Sequence, residues 1–524
     1  MLRETDAIKD DKIADKGALS GIKVLDLTRY LSGPQTTLFL SALGAEVLKI
    51  DDPHQGDPVR NSPPFFGKDG VSMSKASPLD IGIAYLKRAR SKKSIELDLK
   101  SEDGINTFMR LAEKADVIVE NFRVGVTKRL KIDYEQLKSK NPKIIYCSIT
   151  GFGATGPDAS KKAFDATVQA ASGLMSITGE PDGLPMKIGS SMADTIAGTF
   201  AFSGILASLF RREKTGLGEY IDVSMTDCLI SLLYDEPWDC FEALGLKKRQ
   251  GNRIMRFSPF NCYAGKDGTV VLGAASEKDW VSILRMIGQS DLQYEDKFSS
   301  ISKRIENNSE IDTIISIWTS TRSVDEIARL CENYEIPCHP VNDIAQIADW
   351  KQIADREILT PLPHPYFTNM KGPLAANFPI KFSGSKVTLD NPAPKPNEED
   401  LVTYHSENPA EFTTLAAKSV SYIWLTPAML ADDIEIEERE LRAAYESRSD
   451  EFIQLPSRLV ERVIFPSQEL AINAIEAIND EATTFKEVVE NRGLTLQDVD
   501  LGDMTEAELG AAGPLVFSLE EPGV

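Results

Sequence analysis

Short apolar runs alternate with amphipathic segments along the first half of the chain. Residues 21–28 are apolar and favour a buried strand, and Gly33-Pro34 then opens a helix. Residues 45–50 form a second apolar run. The same alternation predicts strands at 94–99, 116–120 and 143–148 and helices at 102–115 and 134–139. Strands that alternate with helices build a parallel sheet, so we expect an α/β fold of the doubly wound, Rossmann-like kind.

One long helix closes this alternating region, and the pattern then changes. Residues 191–212 read as a helix that ends at Gly216-Leu217-Gly218, and residues 220–223 read as a strand. From about residue 228 the sequence predicts a helix containing Trp238 and Phe241, a strand pair around residues 265–268, and further helices. This second pattern indicates a smaller α+β domain.

Charge separates the last part of the chain from the rest. The formal net charge of the 524 residues is −22, and residues 401–524 hold 8 basic and 25 acidic residues, or −17, which leaves −5 for the first 400. We therefore predict five parts. They are a flexible arm (1–17), a Rossmann-like large domain (18–225), a small domain (226–330), a segment that returns to the large domain (331–400) and an acidic α+β C-terminal appendage (401–524).

Composition excludes several classes of partner. The negative charge argues against nucleic acid. We find no run of about 18 apolar residues and no apolar core in the polar N-terminus, so we expect neither a membrane partner nor secretion. The six cysteines are scattered without a repeated C-x-x-C, which favours a reduced, cytoplasmic setting.

The sequence offers few residues for metal or nucleotide chemistry. Four histidines occur, and Cys338-His339 has no further ligands at zinc spacing, so we predict no metal site. After the first strand the chain reads Leu31-Ser32-Gly33-Pro34, which is neither a G-x-G-x-x-G fingerprint nor a P-loop. Any nucleotide would have to be held in another way.

A candidate reactive segment runs from Thr178 to Gly183 (TGEPDG). Pro-Asp-Gly on its own predicts a turn, because Pro fixes φ at the second position and Gly tolerates the positive φ that follows. The interpretation changes when seven longer segments are read together. These are GIKVLDLTRYLSGP, SALGAEVLKID, KKSIELDLKSEDG, ADVIVENFRVGV, ITGFGATGP, QAASGLMSITGEPDG and EYIDVSMTD.

Together these segments resemble the CaiB/BaiF, or class III, CoA-transferases over about residues 18–395. The resemblance implies a Rossmann-like large domain with a smaller α+β domain, in a homodimer whose chains interlock. It also implies a substrate pair, an acyl-CoA and a small carboxylic acid. Coenzyme A enters as a thioester substrate, and no cofactor is bound permanently.

By the same resemblance Asp182 is the catalytic nucleophile. A carboxylate is ionised at pH 7 and attacks a thioester without a general base, which suits a chain with four histidines. The expected intermediates are an aspartyl anhydride and an aspartyl-CoA thioester. Gly179 and Gly183 flank the nucleophile, so their N–H groups are candidates for stabilising a developing oxyanion.

Basic residues near the strand ends are candidates for CoA phosphates, although such runs are commonly solvated surface. We assign Arg90, Lys92 and Arg129 to this role. The resemblance also places Asn121 and Phe122 near CoA, whereas without it they would be a strand end.

Two alternatives to CoA transfer remain. The family includes α-methylacyl-CoA racemases, whose His-Asp pair corresponds here to Phe164-Asp165 and whose second acid–base carboxylate corresponds to Asp194. The missing histidine argues against racemisation, and we expect Asp194 to cap or pair within its own helix. The second alternative is a catalytically silent fusion that acts as a binding or chaperone-like protein.

The acidic C-terminal part resembles a different protein. The segments EIEERELRAAYESRSDEF, RLVERVIFPSQE and ATTFKEVVENRGL look like parts of a truncated parvulin-type periplasmic folding factor. Periodic apolar positions predict a helix at 432–447. A parvulin's first-strand histidine is replaced near Arg462, so we expect no prolyl isomerase activity from this fusion.

Overall fold

The fold was analysed in a computed structural model. It describes residues 16–367, 370, 372–395, 439, 442, 457–480, 482–506, 509–510 and 513–518. The chain divides into two compact units, Met1–Leu415 and Ala416–Val524. Most of the predicted arm (1–17) and the predicted helix at 432–447 lie outside the described residues, although Arg439 and Arg442 are helical.

The strands of the first unit are short. They are β1 (Lys23–Asp26), β2 (Glu46–Asp51), β3 (Phe65–Gly67), β4 (Gly70–Ser72), β5 (Ile81–Gly82), β6 (Lys93–Glu96), β7 (Val117–Glu120), β8 (Ile145–Thr150), β9 (Tyr220–Ser224), β10 (Phe260–Ala264), β11 (Thr269–Gly273), β12 (Cys338–Pro340), β13 (Leu359–Pro361) and β14 (Leu374–Ala376).

The helices of this unit vary more in length. They are α1 (Ser32–Ala42), α2 (Ile83–Arg88), α3 (Glu102–Ala112), α4 (Val126–Arg129), α5 (Tyr134–Lys140), α6 (Asp165–Ala171), α7 (Leu174–Ile177), α8 (Met192–Thr215), α9 (Met225–Leu233), α10 (Trp238–Ala243), α11 (Glu277–Ile287), α12 (Ile301–Glu306), α13 (Asn308–Thr319), α14 (Val324–Asn333), α15 (Ile344–Asp349) and α16 (Lys351–Asp355). Short 3₁₀ helices lie at Pro58–Asn61, Ser290–Tyr294 and Asp296–Phe298.

The central sheet has six parallel strands in the order β6-β2-β1-β7-β8-β9. Numbered by appearance within this sheet, that order is 3-2-1-4-5-6, the arrangement of a doubly wound nucleotide-binding fold. The predicted parallel α/β sheet is therefore confirmed. The strand order reverses between β1 and β7, and ligands of such folds bind in the crevice outside the carboxyl ends at that point.

Alternate residues of the strands pack into two cores, one on each face of the sheet. Val24, Val119 and Cys147 belong to the core that includes buried residues of α8, whereas Leu25 and Ile118 belong to the core that includes Phe108 of α3. Side chains of consecutive strand residues point to opposite faces, so a strand covered on both sides reads as a continuous apolar run. This explains why the strands were visible in the sequence.

The longest helix, α8, extends slightly beyond the predicted range of 191–212. Gly216 ends it with a φ of +71° and donates its N–H to Arg212 O at 2.7 Å, as a left-handed glycine cap does. Among the described residues α8 alone is long and apolar enough to cross a membrane by length and composition. A core helix satisfies the same test, and one face of α8, including Ala197 and Ala201, is buried in the first core.

The small domain contains an antiparallel sheet, β10-β11-β12. The predicted strand pair around residues 265–268 is the hairpin between β10 and β11. Helices α11, α13 and α14 contribute to its core. The third strand, β12, pairs with β11, so the small domain continues past the predicted boundary at residue 330.

The segment after the small domain packs against the large one. Leu362, Ala375 and Ala393 share a buried cluster with Phe66 and Tyr85. In the second unit the described elements form a small α+β arrangement. Its antiparallel strands are Ser457–Glu461 and Asp500–Thr505, and its helices are Gln468–Asn479, Phe485–Glu490, Leu496–Val499 and Gly513–Phe517.

Candidate active site

The crevice between β1 and β7 is organised by Asn121. Its side-chain Oδ1 accepts a hydrogen bond from the Arg29 N–H at 2.9 Å, and its Nδ2 donates to Arg29 O at 2.7 Å. These two bonds fix the loop after β1 to the end of β7. Asn121 thus shapes the crevice in which ligands of this fold class bind.

The turn after Arg29 is held in an unusual conformation. Tyr30 has a φ of +67°, which a residue with a side chain adopts only when its surroundings hold it there. Asp57 Oδ1 accepts from the Tyr30 N–H at 3.3 Å, and Arg88 Nη1 donates to Tyr30 O at 2.7 Å. The crevice is therefore bordered by a rigid turn.

Lys92 lies inside the protein and does not reach this crevice. Its ammonium donates to Asp26 Oδ2 at 2.9 Å, to Thr37 Oγ1 at 2.7 Å and to Pro34 O at 3.0 Å, and the side chains of Lys92 and Asp26 are both 0% exposed. All its donor capacity is used within the fold. This corrects the assignment of Lys92 to CoA phosphates.

The Asp26 carboxylate is stabilised in its charged form despite its burial. Burial alone would raise its pKa, but the ammonium groups of Lys92 and Lys49 and hydrogen bonds from two threonine hydroxyls lower the pKa to about 2. Lys49 in turn donates to Thr28 O at 2.7 Å and lies 3.4 Å from Asp57 Oδ2. Because Asp57 also accepts a hydrogen bond from the Tyr30 N–H, the network links the carboxyl ends of β1 and β2 to the turn.

Arg90 is also an interior side chain. Its Nε donates to Lys87 O at 3.1 Å and its Nη2 donates to Ala376 O at 2.7 Å, so it connects α2 to the chain segment at β14. Arg90 is 1% exposed. Its assignment to CoA phosphates is corrected because the side chain is buried.

Two of the predicted CoA residues are accessible to solvent. Phe122 is partly exposed after β7, and the Arg29 guanidinium lies 5.9 Å from the centre of its ring. Arg129 is exposed at the end of α4. The Phe122 ring and the Arg29 guanidinium at the switch point suit a nucleotide with phosphates.

Glu120 ends β7 as a buried carboxyl group. Burial raises its pKa to about 7, although hydrogen bonds from Ser148 and the Phe122 N–H oppose the rise. The Phe122 N–H lies 2.7 Å from Glu120 Oε2. Glu120 therefore changes its charge near neutral pH next to the predicted CoA residues.

Asp182 lies in the turn that the sequence predicted. The Gly183 N–H donates to Glu180 O at 3.0 Å, which closes the turn around Pro181 and Asp182. The Asp182 side chain is 87% exposed. The structure thus presents this carboxylate to solvent at the tip of a short loop.

The two glycines beside Asp182 have different roles. The left-handed conformation expected at Gly183 occurs instead at Gly179, which has a φ of +117°. A Cβ atom at Gly179 would lie 3.3 Å from Leu184 O. The Gly183 N–H is already used by the turn, so in this conformation it is not free to stabilise an oxyanion.

A segment distant in sequence braces this loop. Arg249 donates to Gly183 O at 2.6 Å, to Glu180 O at 3.2 Å and to Ser176 O at 3.4 Å, and the Gly251 N–H donates to Gly179 O at 3.0 Å. Carbonyl groups on both sides of Asp182 are therefore held. Arg249 was not predicted as a site residue, although the basic run Lys247-Lys248-Arg249 was a visible signal.

Lys247 from the same segment pairs with the predicted nucleophile. Its Nζ lies 2.7 Å from Asp182 Oδ1. The hydrogen bond from Lys247 and then its charge lower the pKa of Asp182, so the carboxylate is ionised at neutral pH. No hydrogen bond or ion pair between described residues joins this group to Asn121, Phe122 or Arg129.

The residues at the racemase positions have other contacts here. Phe164 is exposed and packs edge-to-face on Tyr30, with ring centres 6.0 Å apart. Asp165 caps α8, because its Oδ1 accepts from the Ala193 N–H at 2.8 Å and the Asp194 N–H at 3.2 Å. Asp194 hydrogen-bonds to Ser32 at the start of α1, so the prediction that Asp194 pairs within its own helix was wrong. Burial and the nearby charge of Asp165 raise the pKa of Asp194.

Among the described residues no group of three His, Cys, Asp or Glu side chains is placed to hold a metal ion. The groups placed around Asp182 are a carboxylate, an ammonium and a guanidinium. An exposed, ionised carboxylate on a braced loop is suited to nucleophilic attack on an activated carbonyl group.

Comparison with known proteins agrees with this chemistry. A model of CoA-transferase family III matches residues 19–400. The chain is 33% identical over 385 residues to succinate–glutarate CoA-transferase of Agrobacterium fabrum, which covers 73% of this chain and 94% of that protein. It is 34% identical over 387 residues to acetyl-CoA:oxalate CoA-transferase of Acetobacter aceti, with coverage of 73% and 94%.

The fold has a counterpart among solved structures. A CaiB/BaiF family protein from Brucella suis matches with a TM-score of 0.64 and 30% sequence identity, over 75% of this chain and 99% of that one. The family match ends at residue 400, and the parvulin likeness of residues 401–524 stays a prediction. The chain belongs to CoA-transferase family III, the CaiB/BaiF proteins, and is a class III CoA-transferase.

Proposed function

We propose that this protein moves CoA between carboxylic acids with Asp182 as covalent nucleophile. The observation that carries the proposal is the Asp182 carboxylate itself, which is exposed and ionised on a loop braced by Arg249. Removing solvent from such a group on substrate binding increases its reactivity toward a thioester carbonyl.

Two displacements load the enzyme. Asp182 attacks the carbonyl carbon of the acyl-CoA and a C–O bond forms. The C–S bond breaks, CoA leaves as a thiolate, and a mixed anhydride of Asp182 and the acyl group remains. The thiolate then attacks the Asp182 carbonyl carbon, and the donor acid leaves as a carboxylate. Asp182 is now a CoA thioester, and the same steps in reverse transfer CoA to the acceptor.

The crevice between β1 and β7 is our candidate CoA site. Asn121 and Phe122 follow β7 there, Arg129 lies farther along in α4, and Arg29 is a further cation. The support is the position at the switch point together with the exposed ring and cations. Lys92 and Arg90 are excluded from this proposal because they are buried.

The acceptor that we propose is a small dicarboxylic acid. The two curated relatives described above carry succinate, glutarate and oxalate in their names, all of which are dicarboxylates. The basic run beside Asp182 supports an anionic acceptor, because Arg249 and Lys247 give this region positive charge.

We also propose a homodimer. Large apolar side chains are exposed on loops and helices of the first unit, among them Phe164, Leu184, Met186, Phe210 and Leu244. Exposed apolar area of this kind commonly marks a protein–protein interface. Light scattering of the eluted protein measures the mass directly, and a monomer at micromolar concentration would contradict the proposal.

For the rest of the chain we propose a cytoplasmic location and an appended role for residues 401–524. The six cysteines carry no disulfide, which is consistent with a reducing compartment. Limited proteolysis tests the appendage: cleavage at 395–410 that leaves transferase activity intact supports it, whereas loss of activity on cleavage contradicts it.

The transfer reaction tests the main proposal. Purified protein is incubated with succinyl-CoA and glutarate, and mass spectrometry detects the new thioester. The parent should form glutaryl-CoA, and Asp182→Ala should lose at least about a thousandfold in rate. Asp291→Ala, which removes another exposed carboxylate, is the matched control and should match the parent. Equal rates for Asp182→Ala and the parent would contradict the assignment.

A further inference from the structure

The charge of Asp182 changes during the proposed reaction, whereas that of Lys247 does not. In the free protein the two form an ion pair at 2.7 Å. As an anhydride or a thioester, the Asp182 carbonyl group carries no charge. The Lys247 ammonium then has no counterion at the moment when a second carboxylate must approach the same carbon atom.

The surroundings of Lys247 make it suitable for exchanging partners. Its side chain is 61% exposed, so solvent and substrate can reach it. Arg249, by contrast, has three guanidinium hydrogen bonds to backbone carbonyls. The neighbouring residue Lys248 pairs with Glu242 at 2.8 Å and not with the nucleophile. Among these three cations Lys247 alone contacts Asp182.

We propose that Lys247 binds the carboxylate of the acceptor acid while Asp182 carries CoA, and returns to Asp182 when the transfer is complete. The inference rests on the proposed transferase function and assigns a substrate-binding residue to it. It defines the acceptor as an anion whose reacting carboxylate pairs with a primary ammonium group.

The half-reaction is balanced with these groups alone. A carboxylate oxygen of the acceptor attacks the thioester carbonyl of Asp182, a C–O bond forms, and the C–S bond breaks with its electron pair on CoA. The thiolate attacks the acceptor's carbonyl carbon in the resulting anhydride. The bond between that carbon and the bridging oxygen then breaks, the oxygen stays with Asp182, and the released Asp182 carboxylate pairs with Lys247 again.

The test compares Lys247→Gln with Lys247→Arg and with the adjacent control Lys248→Gln. Steady-state rates with succinyl-CoA and glutarate give kcat/KM for each substrate, and intact-protein mass gives the CoA adduct formed without acceptor. Loss of one charge-assisted hydrogen bond should lower kcat/KM for glutarate about 10- to 100-fold in Lys247→Gln. Lys247→Arg should recover most of this loss, and Lys248→Gln should stay within about threefold.

The donor half-reaction separates this role from a general loss of function. Lys247→Gln should still form the CoA adduct, with kcat/KM for succinyl-CoA within about fivefold of the parent. In this variant free Asp182 also loses its stabilising ion pair, so the starting state is destabilised together with the transition state. Unchanged kcat/KM for glutarate, or loss of the adduct in Lys247→Gln alone, would overturn the inference. Absence of the adduct in the parent protein would instead overturn the proposed function and the inference with it.

Discussion

Two lysine–aspartate pairs of this protein have similar geometry and different roles. Lys92 and Asp26 are 2.9 Å apart and Lys247 and Asp182 are 2.7 Å apart, yet the first pair is 0% exposed and the second is 61% and 87% exposed. The buried pair has fixed hydrogen-bond partners on every side, whereas the exposed pair is open to solvent. Burial therefore distinguishes the structural ion pair from the pair that we propose to be reactive.

The comparison extends to the residues that support each pair. Asp26 belongs to a network that includes Lys49 and Asp57 and reaches the rigid turn at Tyr30. Asp182 is supported by Arg249, whose bonds go to backbone carbonyls and leave the carboxylate itself accessible. The first arrangement fixes the crevice, and the second positions the proposed nucleophile.

The largest effect on stability is expected from breaking the buried pair of Lys92 and Asp26. Asp26→Ala leaves Lys92 as an unpaired buried charge, which should lower the free energy of unfolding of the large domain by about 3–5 kcal/mol. Denaturant unfolding measures this loss. Asp182→Ala, which removes an exposed carboxylate, should leave the unfolding midpoint as in the parent. Similar midpoints for both variants would contradict the distinction.

Acid should weaken the same pair. The pKa of Asp26 is lowered to about 2, below its value in an unfolded chain, so its contribution is present above pH ~4 and lost as the pH falls toward 2. The contribution at neutral pH is about 2 kcal/mol.

Glu120 provides a pH test of burial in the opposite direction. Its pKa is raised to about 7, so the parent should lose about 3 kcal/mol of stability between pH 4.5 and 7, as the unfolded chain ionises first. Glu120→Gln removes this pH-dependent loss of stability. Above pH 7 the variant should be more stable than the parent by about 3 kcal/mol. Exposed Glu135→Gln is the control. Parallel pH profiles for Glu120→Gln and the parent would contradict the account.

Arg249→Ala tests the brace around the nucleophile. Loss of its three hydrogen bonds should loosen the loop and reduce kcat about 10- to 100-fold, because small misplacements of reacting groups are costly. KM for succinyl-CoA should change little. The kcat of Arg249→Lys should lie between those of Arg249→Ala and the parent. Steady-state kinetics measure both constants, and a kcat within threefold of the parent would show that the brace is not needed.

The smallest effect is expected at the start of α8. Asp165→Ala removes the acceptor for the N–H groups of Ala193 and Asp194, which should cost about 1 kcal/mol, as the loss of a helix cap does. Asp165→Asn retains an acceptor oxygen and should keep most of that stability. Thermal unfolding compares the two, and equal losses would show that the cap contributes through charge alone.

The sequence predicted the parallel sheet because burial on both faces leaves continuous apolar runs, such as residues 21–28 and 143–148. It also predicted the end of α8, since Gly216 alone takes the required left-handed conformation there. The turn at Asp182 followed from local Pro chemistry, but the positive φ expected at Gly183 was wrong, because Gly179 takes that conformation instead.

Contacts between distant residues were beyond local patterns. Lys247 meets Asp182 across 65 positions, and no periodicity connects them. Lys92 and Arg129 are both basic residues near strand ends, and only the fold shows that the first is buried and the second exposed. The predicted end of the small domain lies before β12. This strand pairs with β11, which is about 70 residues earlier in the chain, and local patterns do not show such a pairing.

The covalent intermediate tests the central claim most directly. The parent protein and Asp182→Ala are each incubated with succinyl-CoA without acceptor, and the intact mass is measured after a rapid acid quench. The account predicts a mass increase of one CoA, less one water, on the parent and none on the variant. The same adduct on both proteins, or on neither, would contradict Asp182 as the nucleophile of this transferase.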